Sequence, residues 1–197
     1  MDIAAFLRSI NPFDLLVVLG LMAMFILGFI QGTVRRLLGI ASILFSFVLA
    51  AQLYGPLGDF LAQNWEQFPE SYSRMIGMGA VFVAATIGFT IAIQAFYRVV
   101  PLFQKYPVVD ELLGGFLGVL QGAIIIGAVI MILDPFYQLP GIPKFSGEMG
   151  FLRSLHEAYS PSATALLYRE QIIPGVIAVA GALLPQAVRA VFPGKGS

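Results

Sequence analysis

Few side chains in this sequence have the chemistry to catalyse a reaction, ligate a metal or move a proton. There is one histidine, His156, and no cysteine. A Ser-His-Asp arrangement could form only around His156, and neither G-x-S-x-G nor H-E-x-x-H accompanies it. No G-x-x-x-x-G-K-[ST] loop is present either. Without cysteine, disulfides, Cys-ligated zinc, iron–sulfur clusters and thiol catalysis are excluded. His156 lies in a segment where Met149, Leu152, Leu155 and Tyr159 recur at helical spacing, which puts it on the polar face of a short amphipathic helix. No catalytic residue, metal ligand or cofactor is assigned. The 11 Lys+Arg balance 11 Asp+Glu, and nothing clusters them into a nucleic-acid footprint.

The elements that must position these residues follow from composition. Of the 197 residues, 58% are hydrophobic and 11% charged, whereas a soluble domain carries about 25% charged residues. So little charge cannot cover a water-facing globule. The 17 Phe and 7 Tyr exclude a disordered chain, which would collapse. An all-α integral membrane protein remains. A helix needs about 20 residues to cross a hydrocarbon core about 30 Å thick. Four segments serve: about 13–30, 37–54, 75–97 and 112–133. Past Asp14 their interiors carry no ionisable side chain. Intramembrane proton relays and ion-coupling sites use such groups, so those function classes lose support. Residues 1–133 are read as the membrane domain and 134–197 as a linker followed by a membrane-associated helical extension.

The first span begins with Asn11 as N-cap, Pro12 at the first helical position and Asp14 in the first turn. Its leader is not basic and no A-x-A site follows, so it reads as a retained helix rather than a signal peptide. The turn after it contains Arg35 and Arg36, and the third loop adds Arg98 and Lys105. The opposite side has Arg8 and a loop, Gly55–Arg74, with one Arg against three acids, Asp59, Glu66 and Glu70. The positive-inside rule then places the Arg35–Arg36 turn in the cytoplasm and both termini outside.

Beyond Asp134 the Pro- and Gly-rich DPFYQLPGIPKFSGEMG reads as a linker. Ser160-Pro161 starts another helix, running to about Gln171. The last apolar stretch, about 172–192, is interrupted by Pro174 and Pro185. It reads as interfacial, re-entrant or packed on the bundle, with a kinked fifth span as the lesser alternative.

The strongest positive signal is small residues every four positions. Gly114, Gly118 and Gly122 form one stripe, Gly28 continues into Gly32, and Ala80, Ala84, Gly88 and Ala92 form a third. Such faces let helix backbones approach closely where lipid removes the hydrophobic driving force. They are assigned to helix packing, within one bundle or between subunits. Gln31, Gln52, Gln94 and Gln121 are candidates for interhelical hydrogen bonds or, alternatively, for lining a path. Arg35, Arg36 and Asp110 are assigned to topology and the cytoplasmic face, with a pairing of Asp110 to one of the arginines weighed against a solvated cap.

The run Gly28-Phe29-Ile30-Gln31-Gly32-Thr33-Val34-Arg35, G-F-x-x-G-x-x-R, resembles the signature of the colicin V production protein (CvpA) family. The resemblance also implies an Asp at the start of the first helix, matched by Asp14. It implies a D-x-x-L-G-x-x-x-G-x-x-x-G segment as well, matched by Asp110, Leu113, Gly114, Gly118 and Gly122. Where family members often carry a basic residue before the last Gly, this chain has Gln121. The resemblance covers about Asp14 to Leu133. It implies a four-helix bacterial inner-membrane protein linked to production or export of a peptide toxin and to envelope homeostasis, with no established biochemical activity.

Two functions follow as expectations. One is a non-enzymatic protein acting through helix packing and partner contacts, in the bilayer, with a homo-oligomer or an envelope protein as partner and no nucleic acid. The other is a small pore or transporter lined by the Gln and Gly positions.

Overall fold

The structure is a computed structural model in which residues 11–65, 68–96, 107–138 and 148–180 are described. Four long helices, α1 (Pro12–Gln31), α2 (Thr33–Asn64), α3 (Glu70–Phe96) and α4 (Pro107–Tyr137), are each long and apolar enough to cross a membrane. They run alternately up and down, and the described residues are helical with short connections, giving an all-α membrane protein. Leucines and isoleucines such as Leu16, Ile30 and Ile91 face outward, the arrangement suited to a hydrocarbon solvent.

Helix limits extend past the apolar runs. α2 continues beyond Tyr54, through Pro56, to Asn64, and its 32 residues span about 48 Å. It passes Pro56 because its next turns pack on α3: Gly58 lies against Arg74, and Gly77 against Leu57 and Leu61. The stretch Gly55–Arg74 is therefore mostly helical. Arg74 pairs with Asp59 at 2.7 Å and with Glu70, drawing those acids into one cluster. α4 likewise continues through Asp134 and Pro135 to Tyr137.

Between α1 and α2 there is one residue, Gly32, at φ 76° and ψ 172°. Only glycine adopts that φ at no steric cost, and a Cβ there would also sit 2.6 Å from Asp110 Oδ2. Arg35 and Arg36 are thus in the first turns of a helix rather than in a loop. From this junction α1 packs antiparallel along α4. α2 pairs with α3 and also touches α4.

A second layer closes the opposite, tail end of the bundle. It comprises α5 (Gly150–Tyr159) and a helical rod of α6 (Ala163–Leu167), a π turn (Tyr168–Ile172) and α7 (Ile173–Ala180). Backbone angles at Tyr168 and Ile173 stay helical, so the three segments are continuous. The cap is Ser162, whose Oγ accepts from the Ala165 N–H at 3.0 Å; Ser160 precedes the helix in a turn. Pro174 lies inside the rod instead of breaking it. It has no N–H to give the Glu170 carbonyl, and the wider π turn falls at that point. The rod descends antiparallel to α4. The Tyr168 hydroxyl donates to the Ala123 carbonyl at 2.7 Å, and Ile173 and Val176 line an apolar groove with Leu44 and Leu120. Of the predicted stretch 172–192, Ile173 is buried against the bundle while Ile172 and Val176 stay exposed; 181–192 lies outside the described residues, as do Arg8, Arg98 and Lys105.

Candidate functional sites at the two ends of the bundle

The glycine seam fixes how the ends are built. Gly28 on α1 faces Gly114 on α4, and a Cβ on either would strike the other's backbone carbonyl. One turn on, Gly118 lies against the Met24 carbonyl, and a Cβ on Gly122 would come within 2.9 Å of Leu21. Gly32 meets Asp110 at the end of this seam. The third stripe behaves differently. Ala80, Ala84 and Gly88 are exposed on α3, and nothing lies within 4 Å of a Cβ built on Gly88. These residues turn outward because α3 meets α2 and α4 through Tyr72, Met75, Met78 and Phe82. Ala84 and Gly88 therefore make no packing seam within the described chain.

At the tail end, Asp134 is 0% exposed. Arg169 forks onto it, Nε to Oδ2 at 2.7 Å and Nη2 to Oδ1 at 2.9 Å. The Tyr159 hydroxyl donates to Oδ1 at 2.8 Å and Gln138 Nε2 donates to Oδ2 at 2.9 Å. A carboxylate offers about four lone-pair sites, and these four donors fill them. The Asp134 hydrogen bond raises the Arg169 guanidinium above its ordinary pKa and keeps it charged. Burial, then the Asp134 charge, raise the Tyr159 phenol well above its ordinary value. His156 Nε2 stands 3.4 Å from Asp134 Oδ1, its ring stacked on Tyr137. The inward face of α5 is thus Leu152, His156 and Tyr159, while Leu155 is exposed and Met149 faces outward. His156 is not on a solvated polar face, because the buried carboxylate of α4 and the Tyr137 ring select the other phase of the helix.

Two further contacts lock this layer. Asp14 on α1 accepts from the N–H groups of Ala163 at 3.0 Å and Thr164 at 2.9 Å, and from the Thr164 hydroxyl at 2.6 Å. It therefore serves the start of the rod as well as the first turn of its own helix. Glu148 holds Arg153 through two bonds of 2.8 and 3.0 Å and accepts from the Tyr137 hydroxyl at 3.2 Å. With these donors on both oxygens, Asp134 ties the rod and α5 to α4. Among the described residues, no group of His, Asp and Glu could hold a metal ion.

The junction end has less complementarity. The Thr33 hydroxyl donates to the Asp110 carbonyl at 2.9 Å, tying the start of α2 to the start of α4. Asp110 and Arg36 are both buried, yet they form no ion pair. The Asp110 side chain turns toward Gly32, whereas Arg36 Nη1 donates to Gln121 Oε1 at 2.8 Å, about three turns along α4. Arg35 pairs with Asp110 no more than Arg36 does. Arg36 is buried, with its head between helices.

Sequence reasoning left Asp134 in the linker and gave Tyr159 only an apolar role. Arg169, the single cation between Leu166, Leu167, Ile172 and Ile173, was passed over. A lone cation in the short polar break between two apolar pairs, with an Asp ending the apolar run of α4, is the available signal.

The sequence model of the colicin V production protein family matches residues 13–158. The match takes in α1 to α4 and nearly all of α5, and stops before Tyr159 and Arg169. No curated protein and no solved structure matches the chain.

Proposed function

The chain belongs to the colicin V production protein family, and we propose that it serves toxin production or export, and envelope homeostasis more generally, as a non-enzymatic helical scaffold of the bacterial inner membrane. In this reading the Arg35–Arg36 junction faces the cytoplasm, in keeping with the positive-inside rule. The tail layer faces the opposite side.

The supporting observation is the unpartnered face of α3. It repeats, at Ala80, Ala84 and Gly88, the four-residue spacing that closes α1 on α4, and it is exposed. A second helix, from another copy or an envelope protein, could approach it as closely as α1 approaches α4. Gly88→Leu should leave the monomer folded and shift its stability by about 0.5 kcal/mol or less, as surface changes do, while abolishing crosslinking in lipid and toxin production. Gly118→Leu meets the Met24 backbone and should prevent folding altogether. Intact crosslinking and phenotype in Gly88→Leu would sink the scaffold reading.

A pore remains the second reading, drawing on the polar cavity that Gln31, Gln94 and Gln121 line. The glycines give it no help, since the Gly28 and Gly114 carbonyls lie against neighbouring backbone. Solute or ion flux through reconstituted protein would favour it over the scaffold.

A further inference from the structure

At the junction end α1 to α4 border a half-open cavity of about 220 Å³ whose polar lining is Gln31, Arg35, Arg36, Thr90, Gln94 and Gln121. Among the described residues two cations line it and no carboxylate does. Arg36 is 5% exposed, yet its hydrogen-bond partner is the neutral amide of Gln121, and its Nε is buried with no acceptor. The buried acid at this end, Asp110, is turned to Gly32 and pairs with neither arginine. A guanidinium removed from water without a counter-charge is costly, so the arrangement is that of a site awaiting an acceptor.

The chemistry of that acceptor follows from the donors. A guanidinium presents a planar fork of N–H groups matched to the oxygens of phosphate. A second arginine adds charge, and the three glutamine amides can each donate. Basic pockets between helices at a membrane face are suited to phospholipid headgroups. We propose that this cavity binds a phosphate group, with Arg36 as the buried ligand and Arg35 as the second cation. The group comes either from the headgroup of an anionic phospholipid or from free phosphate. The inference goes beyond the scaffold reading and does not depend on it.

Full-length protein in phosphatidylcholine nanodiscs, titrated with inorganic phosphate, tests the free anion. Nanodiscs containing phosphatidylglycerol, followed by native mass spectrometry of retained lipid, test the headgroup. A saturable rise in melting temperature with phosphate supports the first source, and selective retention of phosphatidylglycerol supports the second. In either arm Arg36→Gln should weaken binding at least about ten-fold, the effect of losing one charge-assisted bond. Should Arg36→Gln fail to fold, Arg35→Gln, at a half-buried position, and Gln94→Leu, at an exposed one, carry the same test. The proposal is overturned if wild-type protein shows neither response, or if folded variants bind as wild type does.

Discussion

The two ends of the bundle each hold an arginine among their helices, Arg36 buried and Arg169 largely covered, and they treat it in opposite ways. At the tail end Arg169 lies fork to fork on Asp134, and the remaining lone pairs of that carboxylate are taken by Tyr159 and Gln138. At the junction end Arg36, among the described residues, reaches only a glutamine carbonyl and keeps a buried N–H unused. The first arrangement is self-sufficient, because every charge has its complement within the chain. The second is not. In a low-dielectric interior that difference separates a group that holds the fold from one available to a ligand.

Asp134→Ala should give the largest effect on the tail end. It strands the Arg169 guanidinium and should cost about 3–5 kcal/mol, as breaking a buried pair does. Thermal unfolding in detergent and proteolysis of 148–180 would measure it. Replacing both partners, Asp134→Leu with Arg169→Met, should recover most of the loss; if it does not, the pair is more than a local clamp.

Tyr159→Phe removes one donor from the carboxylate and should cost about 1.5–3 kcal/mol, the range for hydrogen bonds to charged groups. Its pH signature is distinct. The folded protein keeps the phenol protonated above its ordinary pKa of 10.0, so beyond that pH the unfolded state alone releases the proton and stability falls. Arg169, also raised in the fold, contributes stability that is present below its unfolded pKa and lost as pH rises beyond it. Wild type should therefore be flat from neutral pH to about 9 and weaken above about 10, while Tyr159→Phe should show a shallower alkaline slope. Equal slopes in denaturation curves would remove Tyr159 from the latch.

Arg36→Met should have the smallest effect on stability. It leaves Gln121 Oε1 without a donor, a cost of about 1 kcal/mol, and removes an uncompensated buried charge, which offsets that cost. A net change near zero in phosphate-free detergent would keep the contrast between the ends. A loss as large as that of Asp134→Ala would erase it.

How much of this was legible beforehand differs by feature. The four helices were readable because lipid demands long apolar runs. Gly114, Gly118 and Gly122, four residues apart, lie where α4 approaches α1 closely, since only a bare backbone admits such an approach. The same spacing on α3 did not say whether Ala84 and Gly88 face inward or outward, because lipid and protein are nearly equally apolar. The apolar runs stop at Tyr54, before Gly55-Pro56, and at Leu133, before Asp134, although the helices continue to Asn64 and Tyr137. Charge marks a boundary only if water is its partner; Asp59 finds Arg74 and Asp134 finds Arg169 instead. The phase of α5 misled for the same reason, with His156 on the inward face beside Asp134.

The order of types along the chain by itself established a membrane protein of four helices, a glycine-lined contact and a family signature. Those are properties of local composition and periodicity, which solvent and backbone geometry read directly. Which arginine is satisfied and which is not was decided by pairings between residues far apart in the chain, Asp134 with Arg169 and Arg36 with Gln121. Such pairings depend on the depth, direction and rotation of helices against one another. Periodicity constrains these weakly, and packing against the seam and the rod sets them.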